Sequence, residues 1–501
     1  MSACVQGCIR VHGFIILLRL QTKFPQGQLF QFVGSSWMID SMELRIPFGQ
    51  GESLRSHIFR RGTHEQVAFG LVSHATRGNR TVLCLRKLIS LQETDYIPSA
   101  SHGAVWRGAA MFPIMATAME YQLGIVVIHA HDHAGPPMLS SDDLRSAEAL
   151  VPMFRSRVPR RPHGTVIVSR THAAGLIWLP GARKAKALAN IRWFGASVTN
   201  TPDHEMPLTD ISEDFGRQAL VVGGEGQAKL RRARVAVVGA GGGGSHVIQQ
   251  LAYLGVGEIL VIDPDVYEES NRHRVVLATH RDLGKPKVRL FERFVRKIGL
   301  GTRIRSIRAA IPDADAVRAV LECDVIVGCV DTLFSRSDIQ DIASRYLIPY
   351  VDIGATVRDV PNAESCDPRV QVAGNVFTFV PGNFCLWCCN FLSRQKIESE
   401  QNGPTRSYFE KNKQEAQVVS FNGVLASQAV SEVLQLLTGY RGSGIREADL
   451  KVPGESVFRG YKKFDGVTGT LQEWGGARRS ACEHCEHVLA AGDVIFAQPA
   501  V

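Results

Sequence analysis

Three neighbouring segments constrain this chain more than any others: Val235-Ala-Val-Val238, Gly239-Ala-Gly-Gly-Gly-Gly-Ser245 and Ile259-Leu-Val-Ile262. Two short apolar runs bracket a glycine turn and a stretch of helical length, which predicts a strand–helix–strand unit. Strands of this kind are buried on both faces, so more elements must flank them. Asp324-Val-Ile-Val327 and Pro349-Tyr-Val-Asp352 supply further strands. From about Phe215 onward the sequence therefore predicts an α/β fold with a mostly parallel, Rossmann-like sheet. Gly239, Gly241, Gly242 and Gly244 would let the backbone approach a phosphate where a helix N-terminus offers N–H groups and positive dipole. Asp263 closes the next strand, 24 positions after Gly239, and suits a ribose hydroxyl. These features fit NAD as well as ATP.

The residues that follow separate the two nucleotides. Asp263-Pro-Asp265, Ser270-Asn-Arg-His-Arg274, Gly284-Lys-Pro-Lys287 and Asp331-Thr-Leu-Phe-Ser-Arg336 form a series of cations with a late aspartate. A dinucleotide dehydrogenase has no use for that series. A triphosphate does, because Arg and Lys neutralise phosphate oxygens and a carboxylate holds Mg²⁺.

In order and spacing these blocks resemble the ThiF/MoeB/HesA family, whose fold is shared with ubiquitin-activating enzymes. Gly216-Arg-Gln218 and Gly226-Gln-Ala-Lys-Leu230 resemble that family's opening segment, and the likeness runs from about Phe215 to Glu486. The resemblance implies adenylation, with ATP and Mg²⁺, of the C-terminal glycine of a ubiquitin-like or sulfur-carrier protein. It implies that Asp263 binds ribose, that Arg274 and Lys287 hold phosphates, and that Asp331 serves Mg²⁺, with Asp265 and Asn271 in the same nucleotide site. It also implies a homodimer in which Arg217 reaches into the partner's site. Gly243 stands where the family usually has Leu or Ile, and Arg272 follows Asn271 where it has an aliphatic residue.

Eleven cysteines, five of them clustered in two C-x-x-C groups, point to metal more than to disulfides. Cys385-Leu-Trp-Cys388 and Cys482-Glu-His-Cys485 would close one tetrahedral zinc, structural because no ligand position stays open. A redox pair is the competing reading. The resembled family carries the same paired knuckles. Ubiquitin-activating enzymes also carry a thioester cysteine after the first knuckle, but residues 390–420 contain none. Cys366 and Cys389 are the leftover candidates, and Cys323 and Cys329 flank a strand as core.

The N-terminal half has a different pattern, with strands at Val67–Val72, Thr81–Ile89, Gly124–Ile128 and within Gly164–Leu179. A helix is expected over Ala104–Tyr121, kinked at Pro113, and another from Asp142-Asp143 to about Met153. His129-Ala-His131-Asp-His133 ends a strand, and Ser140-Ser-Asp-Asp143 follows. Two histidines at i and i+2 share a face. With one carboxylate they would hold zinc with an open position, the catalytic arrangement. The order Glu65, His-x-His, Ser-x-x-Asp resembles the JAB/MPN (Mov34-type, JAMM) metalloprotease family over about Ile46 to Pro180. That resemblance implies cleavage after a ubiquitin-like C-terminus, with zinc on His129 and His131, Glu65 as general base and Ser140 stabilising the oxyanion. The third ligand is read as Asp143, which keeps the expected distance from Ser140 at the helix start, with Asp142, at the expected distance from His131, as the alternative. His133 is a further alternative, either as a replacement ligand or paired with His131.

The expected division is a leader over 1–45, a metalloprotease-like domain over 46–200, a linker over 201–214 and an adenylation domain over 215–501. The leader suggests an overlong start, with translation from Met38 or Met42, or a signal peptide. A composition of 45% hydrophobic and 21% charged residues excludes a disordered, collagen-like or heptad-built chain. The net charge, 57 − 48 = +9, is mild over 501 residues and reads as a solvated surface. No nucleic acid, no membrane and a cytoplasmic setting are expected. The combined reading is a bifunctional enzyme acting on one carrier, with two alternatives. One is adenylation of a small carboxylate or peptide beside a binding-only first domain, and the other is a non-catalytic scaffold.

Overall fold

The computed structural model describes residues 10–11, 14–15, 41–60, 64–77, 80–98, 103–201, 212–360, 369–402, 417–442, 460–474, 476 and 478–493. Cys4, Cys8, Cys366, leader residues 16–40, linker residues 202–211 and residues 403–416 of the cysteine-free stretch lie outside them. Among the described residues no helix is long and apolar enough to cross a membrane.

The C-terminal half is built on a sheet of eight strands. Their order is Arg303–Ile307, Glu258–Ile262, Arg234–Val238, Val325–Gly328, Tyr350–Val360, Arg369–Phe379, Tyr461–Asp465 and Thr470–Trp474. The first five run parallel and the last three return antiparallel, so the sheet is mixed rather than mostly parallel throughout. The antiparallel hairpins need only short turns, whereas each parallel step needs a helical crossover. Arg234–Val238 is the point where strand order reverses: the chain first adds strands on one side, then crosses to Val325–Gly328 on the other. A crevice opens at the carboxyl ends of strands at such a reversal. Val235, Val237, Ile259, Val261, Val325 and Val327 are fully buried, as strands covered on both faces require.

The N-terminal half is a nine-stranded mixed sheet: Val198–Thr201, Asn190–Phe194, Ser41–Ile46, Arg80–Ser90, Val67–Arg77, Gly124–Ala130, His163–Val168, Ala173–Trp178 and Lys186–Ala187. Three boundaries differ from expectation. Ser41–Ile46 lies in the 1–45 leader for all but its last residue, yet it is an inner strand, parallel to Arg80–Ser90 and Asn190–Phe194. Thr201, the first linker residue, pairs with Ile191. The helix expected over Ala104–Tyr121 is Met111–Glu120, with a single 3₁₀ turn before it. Pro113 is its third residue, where the N–H has no intrahelical partner to lose, so the ring need not break the helix. The following helix runs Ser141–Arg157 with Ser140 as its cap.

The two halves share a boundary that is packed and paired. Ala75, Val82, Cys84 and Phe194 join the core of the C-terminal half. In Ser41–Ile46 the apolar residues Met42, Leu44 and Ile46 enter the N-terminal core. The alternate residues Glu43 and Arg45 are buried too. Arg45 donates to Glu43 at 2.6 Å and to the Tyr346 carbonyl at 2.6 Å, Arg80 meets Glu43 at 3.1 Å, and Arg192 meets Asp324 at 2.9 Å. Buried charges persist only when paired in this way.

Candidate active sites

The crevice at the strand reversal is a cavity of about 1050 Å³. Gly239, Gly241, Gly242, Asp263, Asp265, Asn271, Arg274, Lys287 and Asp331 all line it, although they come from segments almost a hundred positions apart. Gly239 has φ +90, and a Cβ there would sit 2.6 Å from the Cys329 carbonyl oxygen. A Cβ on Gly241 would meet nothing within 4 Å, leaving room for a ligand against bare backbone. Helix Gly242–Tyr253 starts there with no side-chain cap, so its first N–H groups are available to an anion.

Two predicted residues stand elsewhere. Gly244 does not line the cavity. Its hydrogen occupies a close approach, since a Cβ would fall 1.9 Å from the Gly239 oxygen, so its task is helix–turn packing. Arg217 is exposed on the helix Gly216–Arg232 and is not part of the cavity wall of its own chain.

Asp263 is buried and binds the turn together: its oxygens accept from Ala240 N at 2.6 Å and Asp265 N at 2.8 Å. Burial raises its pKa, while Lys287 and the two backbone donors pull the other way. Lys287 donates to Asp265 at 2.7 Å and lies 3.9 Å from Asp263. Asn271 accepts from Glu268 N, pinning the loop that carries Arg274. At Gly243 a Cβ would come 2.8 Å from Ile353 Cδ1, so the side chain missing from the helix is replaced by one from the neighbouring strand.

Sequence reasoning passed over Arg336 as a site residue, though it ends the Asp331 block. It is buried, ion-paired to Asp352, and donates to the carbonyls of Val330 at 2.6 Å and Ile353 at 3.1 Å. It thereby fixes the backbone just before Asp331. Gln417, just before the apolar helix Val419–Thr438, and Asn422, in its first turn, also line the cavity, and no local pattern marks them.

The second site is a cavity of about 690 Å³ in the N-terminal half, lined by Glu65, His129, His131, Ser140, Asp142 and Asp143 among others. Strand Gly124–Ala130 carries His129 to its end, and His131 follows one turn-free step later. The ligand atoms of His129, His131 and Asp143 lie within 4.8 Å of one another. His129 Nε2 is 3.0 Å from Asp143 Oδ1, off the line a hydrogen bond needs, and is buried without a hydrogen-bond partner. His131 Nε2 is 3.8 Å from Asp143 Oδ2. Ligands on one tetrahedral zinc stand roughly 3.3 Å apart, from bonds of about 2.0–2.1 Å. An orphaned buried ring nitrogen facing a carboxylate at this spacing fits a metal.

Asp142 is exposed and ion-paired with Arg145, so Asp143 is the aspartate beside the histidines. His133 is exposed and bonded to the Ala134 carbonyl, outside the group. Ser140 caps the helix: its hydroxyl donates to Asp143 Oδ2 at 2.7 Å and accepts from Asp143 N. That hydrogen is committed to holding Asp143, whereas an oxyanion role would need it free. Burial pushes the Asp143 carboxyl up, but the His129 ring and the Ser140 bonds outweigh it and hold the group below the usual carboxylate range. Burial, then the His129 charge, lowers the His131 pKa. Glu65 lies two positions outward from Val67, which pairs with His129. It is half-buried, and its charge reaches His131.

The four knuckle cysteines form a third group. Their sulfurs stand 3.6, 3.8, 3.6 and 3.5 Å apart along Cys385–Cys388, Cys385–Cys482, Cys388–Cys485 and Cys485–Cys385. A Zn–S bond of about 2.3 Å gives tetrahedral edges of about 3.8 Å, while a disulfide needs about 2.05 Å. The cluster could therefore hold one zinc, and none of these cysteines is closed into a disulfide. Cys323 is buried, as a core cysteine should be, and Cys329 lies at the wall of the cavity at the strand reversal.

A family model described as ThiF family matches residues 215–484. The SAMP-activating enzyme E1 of Haloferax volcanii is 38% identical over 167 residues, 33% of this chain and 57% of that protein. The sulfur carrier protein adenylyltransferase of Thermus thermophilus is 36% identical over 131 residues, covering 26% of this chain and 48% of that protein. The molybdopterin-synthase adenylyltransferase of Escherichia coli is 25% identical over 277 residues, 54% of this chain and 95% of that protein. The chain thus spans about half the length of the first two relatives.

Proposed function

The chain belongs to the ThiF family, and from that premise we propose that it is an ATP-dependent adenylyltransferase for the C-terminal glycine of a ubiquitin-like or sulfur-carrier protein. One observation carries the reading. The glycine turn, Asp263, the two cations Arg274 and Lys287, and Asp331 line one cavity at the reversal of strand order. The names of the relatives, a SAMP-activating enzyme and a sulfur carrier protein adenylyltransferase, support the same chemistry.

In this reading the substrate carboxylate attacks the α-phosphorus. A C(=O)–O–P bond forms, the P–O bond to pyrophosphate breaks, and pyrophosphate leaves with the electron pair. Lys287 and Arg274 hold phosphate oxygens and offset their charge. The helix N-terminus at Gly242 stabilises negative charge without moving. Asp331 would hold Mg²⁺, which supplies charge neutralisation when bound. Arg217, exposed and away from its own cavity, suits action in a partner's site of a two-fold dimer.

For the N-terminal half we infer a JAB/MPN-type peptidase that cleaves a peptide or isopeptide bond at the carrier's C-terminus. His129, His131 and Asp143 would hold zinc, which supplies a Lewis acid and a more acidic water when bound. In this reading Glu65, at the cavity wall, would take a proton and return it to a leaving amine. Joining both sites in one chain raises each site's effective concentration for a shared carrier.

ATP–pyrophosphate exchange with a purified Gly-terminated carrier tests the adenylation. Exchange is expected in the wild type and lost in Asp331→Ala. Exchange undiminished in that variant removes Asp331 from the chemistry, and none in the wild type with several carriers overturns the reading.

A further inference from the structure

One polar side chain in the nucleotide cavity has no task in what precedes. Asn422 sits in the first turn of helix Val419–Thr438, only 5% exposed, and its Nδ2 has no hydrogen-bond partner. A buried amide N–H left unpaired costs about 1–3 kcal/mol. A catalytic or binding role is one of the reasons native proteins keep such groups. The position of Asn422 indicates which ligand. A Cβ built on Gly242 would fall 2.4 Å from Asn422 Nδ2, so the amide lies directly against the first residue of the glycine-turn helix. Gln417 Oε1 is 3.3 Å from the same point. Neither helix Gly242–Tyr253 nor helix Val419–Thr438 has a side-chain cap. Two uncapped N-termini and an unpaired amide donor therefore converge on one part of the wall, which favours an anionic oxygen.

From the glycine turn this part of the wall continues toward the side of the cavity opposite Lys287. Lys287 and Asp265 belong to the side of strand Glu258–Ile262, while Gly243 abuts Ile353 of strand Tyr350–Val360. Three strand spacings separate these two strands in the sheet, about 14 Å. A nucleotide whose ribose is at Asp263 and whose phosphates meet Lys287 and Arg274 leaves the Asn422 end for the second substrate.

We propose that Asn422 is a positioning residue for the acyl substrate. Its amide receives the carboxylate oxygen that stays on carbon, turning the other oxygen toward the α-phosphorus. This rests on the adenylation reading. The same amide could instead meet a phosphate oxygen of the nucleotide, and the test separates the two sources.

The probes are Mg-ATP alone and 5′-O-(glycylsulfamoyl)adenosine, an unreactive mimic of a glycyl adenylate, both titrated calorimetrically into the full chain. Asn422→Leu keeps the volume and removes the donor, and Asn422→Ser keeps a smaller donor in case the leucine variant misfolds. For Asn422→Leu, ATP affinity should stay within about twofold and mimic affinity should fall about tenfold or more, the worth of a hydrogen bond to a charged or polarised oxygen. Asn422→Ser should retain part of the mimic affinity. Mimic binding unchanged in both variants, with wild type binding both probes, overturns the proposal. Equal loss for ATP and mimic also overturns it, by assigning Asn422 to the phosphates. A wild type that binds neither probe fails the adenylation reading itself, a result distinguishable from the other two.

Discussion

Arg77 grips Asp493 with a fork of two bonds, Nη1 to Oδ2 and Nη2 to Oδ1, each 2.8 Å long. One residue belongs to the N-terminal sheet and the other to the segment after the second cysteine knuckle. The fork ends a continuous strap: Ser73 Oγ donates to the Ala490 carbonyl at 2.7 Å, and Asp493 N donates to the His74 carbonyl at 3.1 Å. From the other side, Ala490 N and Gly492 N donate to the carbonyls of Ser344 and Arg345, each at 2.9 Å. The strap thus lies between the strand Val67–Arg77 and the end of the helix Leu333–Arg345.

Gly492 is the point where this strap is least tolerant. Its φ is +55, and a Cβ would stand 2.7 Å from Ser73 Oγ and 2.8 Å from the His74 oxygen. Gly492→Val should destabilise the protein by about 1–3 kcal/mol through backbone strain and the clash. Arg77→Ala, which removes a pair about one-third exposed, should cost less than about 1 kcal/mol. Thermal unfolding measures both. A Gly492→Val protein that melts like wild type shows that the strap does not bear on stability.

The same strap begins at Cys482 and Cys485, so metal at the cysteine cluster should also govern how the halves adhere. Wild-type protein is expected to carry two zinc ions per chain, and His129→Ala only one. Chelation should strip the histidine site first, because its shell is open while four thiolates close the other. Once the cysteine site is emptied, amide hydrogen exchange at residues 73–77 should rise. One zinc per chain in wild type, unchanged by His129→Ala, contradicts the second site. Protection at 73–77 unaffected by full demetallation separates the strap from the metal.

Legibility in the sequence followed the range of the forces involved. The glycine turn, Asp263, Lys287 and Asp331 are readable because each sits in a local pattern whose spacing the backbone enforces. The histidines were readable as a short cluster, but the rivalry between Asp142 and Asp143 was not resolvable from spacing. The structure separates them through the Ser140 cap, which orients Asp143 alone. Ser41–Ile46 was hidden by its Glu43 and Arg45, which resemble an exposed face. Glu43 pairs with Arg80 and Arg192, and Arg45 donates to the Tyr346 carbonyl of the C-terminal half, contacts no local window contains. Asn422 was invisible for a related reason, since one amide in an apolar helix gains meaning only when Gly242 is found beside it. The three antiparallel strands left no strong signal either, and they alter the expected sheet from mostly parallel to mixed.

Acid should weaken the N-terminal half through His163. Its ring is fully buried, Nδ1 accepts from Ile125 N at 3.1 Å, and Nε2 then donates to the Val158 carbonyl at 2.9 Å. A second ring proton would face the Ile125 N–H. Burial chiefly lowers the pKa to about 4. The unfolded chain, near 6.5, therefore binds a proton first as pH falls. Stability is full above pH of about 6.5 and declines until about pH 4, by up to about 3 kcal/mol from this group. His163→Gln offers one acceptor and one donor without titrating, so its denaturation midpoint should fall less between pH 7 and pH 4.5. Parallel losses in variant and wild type assign the acid sensitivity to other groups.

Glu65 offers the sharpest test of the N-terminal half. It lines the same cavity as His129, His131 and Asp143, and the strand pairing of Val67 with His129 delivers it there. Hydrolysis of an amide needs a proton taken from the attacking water and one given to the leaving amine, and one carboxylate at the cavity wall can do both. Glu65→Gln keeps the size and the hydrogen bonding but cannot accept the proton. With a carrier that bears a C-terminal extension, read by mass spectrometry, cleavage should fall about 10²- to 10⁴-fold. Zinc content and ATP–pyrophosphate exchange should stay at wild-type levels, which distinguishes a lost base from a lost fold. Cleavage by the variant at the wild-type rate makes Glu65 a structural residue. A wild type loaded with zinc that cuts none of several carriers makes the cavity a binding surface, and the peptidase reading then fails while the adenylation reading stands.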